Sequence, residues 1–494
     1  MLKNSALAAG LGLALGILSS GLVFAASSEI RIGMTLEPPI LDPTANAAAP
    51  IDDIVYQNIF EGLTQIDQTG AVQPDLATSW TVSPDNLTFT FTLAPNVTFH
   101  DGTTFDADDV KFTFDRILAP DSLNAQKALY EPIESVTVTD PHTVAIKLKR
   151  PTGDFLFNIG RGDAVIVAPE SAATNATKPV GTGPFKFVQW DKGSRIILAK
   201  NDTYWGKPVA LTKATFVFIP DAAAATNALL AGDVDGIKNI STDTVAIFTG
   251  NPQFKVLVGT TEGETVLATN NAKKPFSDLR VRQAMAHAID RKAIIDGAQN
   301  GYGTPIGSHF SPVHPYYIDL TGTYPFDLVK AKELLTEAGY PDGFSATLKL
   351  PPTQYARLSG QIIASDFAKI GIKLEQINVE WAQWLEDVFT KHDYDLSIVA
   401  HVEPFDIGIY ANPDYYFGYN DPEFQEIMKK LNATVDDAAR KDLAIQAQKR
   451  LAEQAVNGFL FEFPQVGVWN AKIEGQWQNA PIEGTPLRDV HWVD

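Results

Sequence analysis

Cysteine is absent from the 494-residue chain. Disulfide bonds, thiolate metal sites, iron–sulfur clusters and cysteine nucleophiles are therefore excluded. Runs of lysine and arginine are also missing, and 59 acidic residues outnumber 39 basic ones, giving a formal net charge of −20. Because binding to a polyanion needs clustered positive charge, no nucleic-acid partner is expected.

The signatures of several enzyme classes are missing as well. The chain has no Gly-x-Ser-x-Gly nucleophile elbow, no Gly-x-x-x-x-Gly-Lys phosphate loop and no His-Glu-x-x-His zinc helix. The closest pair of histidines, His309 and His314, lies in a segment rich in proline and tyrosine and does not follow a common metal-ligand spacing. We predict no catalytic residue, no metal and no cofactor, and a secreted hydrolase is kept only as a remote alternative.

The N-terminus carries no charged residue between Lys3 and Glu29. Lys3 supplies a positive start, Ala6 to Leu18 forms an apolar run, and Val23–Ala25 ends the stretch with small or tolerated residues. This pattern predicts a secretory signal peptide at residues 1–25, cleaved after Ala25. An uncleaved anchor is the alternative, because the stretch could span a bilayer. No cysteine follows to carry a lipid anchor, so the periplasm is the predicted location.

Long apolar segments are absent from the rest of the chain, and strand-like and helix-like segments alternate there. This alternation predicts a mixed α/β architecture, and the length predicts more than one structural unit. Thr88–Leu93 alternates between polar and apolar residues, as a half-buried strand does. Asp106 is predicted to cap a helix on which Val110, Phe114 and Ile117 share one face.

Aromatic and acidic residues cluster late in the chain. Trp381 and Trp384 are three residues apart and would share a helical face. The segment 395–416 is predicted to be a strand followed by a loop, which is where α/β folds commonly bind ligands. The candidate ligand residues on this segment are His401, Glu403, Asp406 and Tyr410. The alternative is that the tryptophans belong to the core and the acids are solvated.

Several motifs occur in a fixed order over about residues 30–470. They are LEPPILDP (Leu36–Pro43), QNIFEGL (Gln57–Leu63), PDLATSW (Pro74–Trp80), FTLAPNVTFHDGTTFDADDVKFTFDRI (Phe91–Ile117), GTGPFKFVQW (Gly181–Trp190), Asn201–Gly206, LLAGDVDG (Leu229–Gly236) and PFSDLRVRQAMAHAIDRKAII (Pro275–Ile295). Together they resemble the extracellular solute-binding proteins of ABC transporters, family 5, the peptide/nickel-binding type.

The resemblance implies an α/β, two-lobe periplasmic-binding-protein fold with a hinge. Lobe I would comprise residues 26–267, with an extra subdomain at about 66–178, lobe II residues 268–465, and residues 466–494 would return to lobe I. The chain would cross between the lobes near Gly263–Asn271 and Glu462–Trp469. The implied protein is a monomer without enzymatic activity, which delivers its solute to an inner-membrane ABC permease with cytoplasmic ATPase subunits.

The resemblance also implies ligand-binding positions. Peptide-binding members use the tryptophan of a Glu-Trp pair, which Trp381 matches, and the acid of a Trp-x-x-Asp motif that follows a strand. In this chain the second motif is Glu403-Pro404-Phe405-Asp406, so the acid is kept and the tryptophan is replaced. Glu37, which follows the first strand, is expected to face the cleft.

The identity of the solute stays open. A peptide or peptide-like solute is the main expectation. Dipeptide-selective members carry an arginine near the position of Leu350–Pro352, whereas the nearest arginine here, Arg357, is predicted to lie within a helix. The alternatives keep the transport role but change the ligand to an oligosaccharide, an opine-like metabolite or a nickel chelate.

Overall fold

The computed structural model describes residues 28–493, so the predicted signal peptide and its cleavage site lie outside the described residues. The strands are β1 (Glu29–Met34), β2 (Thr64–Ile66), β3 (Val72–Pro74), β4 (Ala77–Val82), β5 (Thr88–Leu93), β6 (Ile133–Asp140), β7 (Thr143–Leu148), β8 (Phe185–Asp191), β9 (Arg195–Lys200), β10 (Lys213–Phe218), β11 (Gly236–Ile237), β12 (Phe254–Thr269), β13 (Thr304–Pro305), β14 (Ser345–Leu350), β15 (Lys373–Asn378), β16 (Leu396–His401), β17 (Gly458–Asn470), β18 (Ile473–Glu474) and β19 (His491–Trp492).

Helices alternate with these strands, as the sequence predicts. They are α1 (Ala49–Val55), α2 (Ala107–Leu118), α3 (Lys127–Tyr130), α4 (Phe155–Asn158), α5 (Ala222–Ala231), α6 (Leu279–His287), α7 (Arg291–Ala298), α8 (Leu328–Glu337), α9 (Gln354–Lys369), α10 (Trp381–Trp384), α11 (Pro422–Ala433) and α12 (Asp437–Glu453). Within residues 28–493, no helix is both long and apolar enough to cross a membrane. Arg357 lies inside α9, as predicted.

One large mixed sheet runs through both halves of the molecule. Its strands lie in the order β15-β14-β16-β12-β17-β11-β1-β10-β9-β8, and β13 pairs with β17. On one side β1 pairs in parallel with β10 and β11, and on the other β14 pairs in parallel with β15 and β16. We call the half with β1 and β8–β11 lobe I and the half with β13–β16 lobe II. The long strands β12 and β17 belong to both.

The pairing of β12 with β17 is irregular where the lobes meet. A register shift separates Thr260 from Glu264 on β12. Opposite this shift, the Glu462 side chain accepts a hydrogen bond from the Thr261 backbone N–H at 2.8 Å. Pro464, which has no N–H to donate to the ladder, pairs with Thr260. Bulges and prolines both weaken strand pairing, so the connection between the lobes is less regular than the sheet on either side.

A separate four-stranded antiparallel sheet, in the order β4-β5-β7-β6, packs against α2 and forms a subdomain. The predicted start of α2 is confirmed: Asp106 caps the helix and forms a reciprocal capping box with Asp109. The predicted apolar face is also confirmed, because Val110, Phe114 and Ile117 are buried in one core. This subdomain is thus an independent layer beside the large sheet.

Helices cover both faces of the large sheet in lobe II. One core lies under α6, α7, α8 and α9, and a second, rich in aromatic residues, lies under α11 and α12. In lobe I, residues of β1, β9, β10 and α1 share a third core. The large sheet is therefore covered by helices on both faces in lobe II and packs against α1 in lobe I.

Candidate functional site

A cavity of about 560 Å³ lies between the lobes, next to the irregular crossing of β12 and β17. This volume is within the range of small-molecule sites, roughly 300–1,000 Å³. Lobe I, the subdomain, lobe II and the crossing all contribute to the lining, which includes Asp52, Asn239, Arg161, Asp163, Val402–Pro404, Glu262 and Phe463–Val466. A molecule in this cavity would therefore contact both lobes at once.

Carboxylates dominate the charged lining of the cavity. They belong to Asp52, Asp163, Glu262, Glu403 and Glu483, and Arg161 is the one basic residue among the described residues that line it. Burial and the charge of Asp163 raise the pKa of Asp52 well above its usual value. Burial and the charge of Asp406 do the same to the pKa of Glu262. Burial thus disfavours the charged forms of these two carboxyl groups, and a cationic group in the cavity would favour them.

Arg161 supplies the opposite charge. Its Nε lies 3.3 Å from Asp163 Oδ1, and its Nη2 lies 3.5 Å from Glu403 Oε2 across the cleft. Asp163 also accepts a hydrogen bond from the Tyr130 hydroxyl at 2.6 Å. A guanidinium has five donors, and among residues 28–493 only Nε and Nη2 of Arg161 make hydrogen bonds. Arg161 therefore keeps donors for a carboxylate of a ligand.

The subdomain touches lobe II at other points as well. Arg440 of α12 forms an ion pair with Asp154, and Phe157 packs against Phe405 with ring centroids 4.6 Å apart. Phe405 has a φ of 61°, in the left-handed region that bulky residues rarely adopt. The loop after β16 therefore takes a strained conformation where the lobes meet.

Three of the predicted ligand residues, His401, Asp406 and Tyr410, form a cluster with His309. Asp406 Oδ1 lies 2.6 Å from His309 Nε2, and Asp406 Oδ2 lies 3.4 Å from His401 Nδ1. The Tyr410 hydroxyl lies 3.1 Å from His309 Nδ1. Burial alone would raise the pKa of Asp406, but the two histidines lower it. These residues lie behind the wall formed by Val402–Pro404 and do not line the cavity.

The other predicted residues lie in different surroundings. Glu403 lines the cavity. Trp381 and Trp384 contact each other, but Trp384 is buried and donates to the Ser397 hydroxyl at 2.9 Å, whereas Trp381 is 42% exposed. Glu37 accepts hydrogen bonds from Trp190 Nε1 and from a backbone N–H, both at 2.9 Å. That Glu37 and Trp381 contact the ligand stays a prediction.

Sequence reasoning missed most of the acids in the cavity. Asp52 is in α1, Glu262 is in β12 and Glu483 lies near the C-terminus, so no local spacing connects them. One signal was available: Glu262 and Glu264 interrupt a strand whose other residues, apart from Lys255, are uncharged. A buried acid in a strand is unusual and often marks a binding site.

The histidine partners were also missed. The sequence suggests only the neighbours His309 and His314 as a pair. In the structure, His309 instead meets His401 and Asp406, and the potential ligand atoms of these three residues all lie within 4.8 Å of one another. This cluster joins segments far apart in the chain, so no sequence motif could reveal it.

Comparison with known proteins agrees with this architecture. The family of bacterial extracellular solute-binding proteins, family 5 (middle region), matches residues 71–428. Heme-binding protein A of Haemophilus influenzae is 32% identical over 362 residues, 66% of each chain. A glutathione-binding protein of Salmonella paratyphi A is 31% identical over 368 residues, 73% of this chain and 72% of that protein. The ABC transporter-associated periplasmic binding protein DppA of Helicobacter pylori, solved with the peptide STSA, is 26% identical and superposes with a TM-score of 0.75, covering 95% of this chain and 99% of that chain.

These matches confirm the family predicted from the motifs and the two-lobe α/β fold. They also confirm the predicted role in solute binding for an ABC importer, because the family consists of extracellular or periplasmic binding proteins. The chain belongs to family 5 of the bacterial extracellular solute-binding proteins.

Proposed function

We propose that this protein captures a peptide or peptide-like solute with a free amino group and delivers it to an ABC permease. The observation that carries the proposal is the excess of carboxyl groups in the cavity lining, where five acidic residues face one arginine. One of the five, Glu483, also pairs with Lys238 at 3.6 Å. A carboxylate removed from water needs a cation or hydrogen-bond donors. An ammonium group offers three donors and a positive charge, and so meets that need.

A peptide also has a carboxylate, which Arg161 would bind through its unused donors. Asp52 belongs to lobe I and Glu403 to lobe II. A ligand that contacts both residues stabilises the closed arrangement of the lobes, because such contacts exist only when the lobes are together.

The named relatives suggest more than one ligand, and the cavity favours one class among them. Glutathione and the peptide STSA carry an amino group, as a small peptide does. Heme carries two carboxylates and no ammonium group, so it would face the carboxylates of the cavity without offsetting them. An opine-like solute with an amino group would use the same contacts as a peptide and is the second candidate.

We propose the lobe boundaries predicted from the sequence: lobe I at residues 26–267 with the subdomain at about 66–178, lobe II at 268–465, and a return at 466–494. The hinge lies at the predicted crossings near Gly263–Asn271 and Glu462–Trp469. The register shift in β12 and the proline in β17 support this position, because hinges are short segments that absorb changes in backbone angles.

The remaining parts of the proposal rest on the N-terminal pattern and on the family. The signal peptide at residues 1–25 is cleaved after Ala25, and the mature protein carries no lipid anchor. It works in the periplasm as a monomer without catalytic activity. Its partner is an inner-membrane permease whose ATPase subunits lie in the cytoplasm.

The test is capture from a synthetic library of di- to tetrapeptides, half of them N-acetylated, read by native mass spectrometry. We expect free-amine peptides to be retained and their acetylated counterparts to be lost. Equal retention of both halves, or retention of neither, would contradict the proposal. The captured peptide then serves as the ligand for calorimetric titration.

Titration of charge variants with that peptide tests the two lobes separately. Asp52→Asn and Glu403→Gln should each weaken binding by about 10- to 30-fold, since each removes one carboxylate from the ammonium group. Glu386→Gln is the matched control, because Glu386 is exposed and pairs with Lys391 away from the cavity. Unchanged affinity in both cavity variants would place the amino group elsewhere.

A further inference from the structure

The cluster behind the cavity wall has the composition of a metal site. It combines two imidazoles and one carboxylate from three separate segments: His309 follows β13, His401 ends β16, and Asp406 lies in the loop after β16. Their potential ligand atoms lie within 4.8 Å of one another. Ligands at 2.0–2.2 Å from a tetrahedral zinc ion are about 3.3–3.6 Å apart, so small side-chain movements would complete the geometry.

Hydrogen bonds hold both imidazoles in a suitable orientation. His309 directs Nε2 and His401 directs Nδ1 towards Asp406. The opposite ring nitrogens lie 3.1 Å from the Tyr410 hydroxyl and 3.0 Å from the Tyr416 hydroxyl, respectively. Metal-binding histidines usually make such a second hydrogen bond, which fixes the ring and its tautomer.

Glu264 provides an independent observation. It lies directly opposite His401 in the pairing of β12 with β16, so the two side chains are on the same face of the sheet. Glu264 is 2% exposed, and its Oε2 is buried without a hydrogen-bond partner in the described part of the chain. Glu264 therefore lies beside His401, although it is not one of the three residues whose potential ligand atoms lie within 4.8 Å of one another.

The cluster also lacks positive charge. Within residues 28–493, neither Asp406 nor Glu264 forms an ion pair with a lysine or an arginine. The hydrogen bond from His309 satisfies Asp406, but Glu264 Oε2 has no hydrogen-bond partner in the described part of the chain. A divalent cation would neutralise both carboxylates at once, while the neutral imidazoles complete its coordination.

We propose that His309 Nε2, His401 Nδ1, Asp406 and Glu264 bind one divalent first-row transition metal ion, zinc in the first instance. Imidazole ligands favour such ions over calcium and magnesium. Glu262, two residues before Glu264 on β12, lines the cavity, so the proposed site is close in sequence to a cavity-lining carboxylate. The bound ion would link β12, β16 and the loop that carries Glu403. This proposal does not depend on which solute the cavity binds.

The first test uses the full mature chain after treatment with EDTA and its removal by dialysis. Titration with Co²⁺ should produce visible d–d absorption of tetrahedral intensity that saturates at one ion per chain, and Zn²⁺ should displace it. Elemental analysis should find one zinc per chain after gel filtration. Ca²⁺ and Mg²⁺ should produce neither displacement nor retention. Absence of stoichiometric Co²⁺ and Zn²⁺ binding would overturn the proposal.

Variants identify the ligands. Asp406→Asn and His401→Gln should each weaken zinc binding by about 100-fold, the upper end of the effects known for residues that merely support a metal ligand. Tyr416→Phe, which removes the hydroxyl next to His401 Nε2, should weaken it by about 10-fold. Asp395→Asn is the matched control, because its side chain is 15% exposed against 16% for Asp406.

Zinc affinity unchanged in Asp406→Asn and His401→Gln would place the ion elsewhere and overturn the assignment. Circular dichroism must show that each variant folds. If a variant does not, X-ray absorption of the wild-type zinc form decides the question without substitution. Scattering from two imidazoles supports the site, and scattering from none or from only one overturns it.

Discussion

Each lobe contains a buried acidic cluster, and the two clusters differ in how well their oxygens are satisfied. In lobe I, Glu61 is fully buried and each of its oxygens has two donors. Oε1 accepts from the Tyr204 hydroxyl at 2.6 Å and Arg488 Nη2 at 2.9 Å, and Oε2 accepts from Thr182 Oγ1 and Trp205 Nε1, both at 2.8 Å. This carboxylate has all the partners that its geometry allows.

The cluster around Asp406 in lobe II is different. Glu264 and its pairing partner Glu462 each have a buried oxygen without a hydrogen bond in the described residues, and the basic groups that contact Asp406 are His309 and His401. Around Glu61 both carboxylate oxygens are satisfied, and a group without a hydrogen bond in the described residues is a donor, Arg488 Nε. In lobe II the unsatisfied atoms are carboxylate oxygens, and burying them without a partner costs stability. The difference indicates that the cluster around Glu61 stabilises the fold, whereas the cluster around Asp406 has unsatisfied carboxylate oxygens that the proposed metal ion would bind.

The largest effect on the free energy of unfolding is expected from a substitution of Glu61 in the lobe I cluster. Glu61→Gln replaces one acceptor oxygen with an NH₂ group, which would face two donors and leave Arg488 with less compensation. We expect a loss of about 3 kcal/mol in the free energy of unfolding, as for other buried pairs that lose one partner. Urea unfolding followed by tryptophan fluorescence measures it.

Glu134→Gln is the control for this change. Glu134 pairs with Lys147 at 3.0 Å, but both side chains are about half exposed, so its loss should cost no more than about 0.5 kcal/mol. A similar, small effect in both variants would show that the donors around Glu61 contribute little, and the proposed difference between the clusters would disappear.

The lobe I cluster also explains why the fold could be predicted from the sequence. Glu61 belongs to the motif QNIFEGL, Thr182 to GTGPFKFVQW, and Tyr204 and Trp205 to the segment Asn201–Gly206. These motifs, which carry the resemblance to the family, meet around one carboxylate. The motif residues therefore stabilise lobe I. For that reason they identify the family and its fold but say little about the ligand.

The site could be predicted only in part. The strand and loop at 395–416 were chosen for their position and composition, and Glu403 does line the cavity. Sequence could not show that Asp406, three residues later, lies behind the wall, because its partner His309 is distant in the chain. Periodicity predicts which elements form, but the side of a loop that faces a cavity depends on tertiary contacts.

A smaller effect on the free energy of unfolding at neutral pH is expected from substitution of His100. This residue contacts Gly181 and Gly183, on either side of Thr182 in the lobe I cluster. His100 Nε2 lies 2.9 Å from the Gly183 carbonyl oxygen, and the Gly181 N–H donates to His100 Nδ1 at 3.3 Å. Burial lowers the pKa of His100 from 6.5 to about 4, and the nearby charges are those of Lys186 and Asp101. No carboxylate holds this histidine directly, in contrast to His309.

The sign of the pH dependence follows from these values. Between pH 6.5 and about 4 the unfolded chain binds a proton at His100 that the folded chain does not, so stability falls as the pH falls through this window. His100→Gln should reduce the slope of stability against pH by about 1.4 kcal/mol per pH unit there, and have little effect on that slope above pH 7. Urea unfolding at a series of pH values measures it. An unchanged slope would mean that His100 is protonated in the folded state.

The smallest effect on the free energy of unfolding, a gain rather than a loss, is expected from Glu264→Gln in the cluster around Asp406. Glu264→Gln removes a buried carboxylate that lies near Asp406 and has an oxygen without a partner. The new amide can donate to Asp406, so the metal-free protein should gain about 1 kcal/mol or remain unchanged in urea unfolding with EDTA. Excess Zn²⁺ should then stabilise the wild type, by about 2.7 kcal/mol at a free concentration 100 times the dissociation constant, and stabilise Glu264→Gln much less.

If Glu264→Gln instead destabilises the metal-free protein as much as Glu61→Gln does, Glu264 has partners of its own and the two clusters are alike. A gain without EDTA-sensitive stabilisation by zinc would show an unsatisfied cluster that receives no metal.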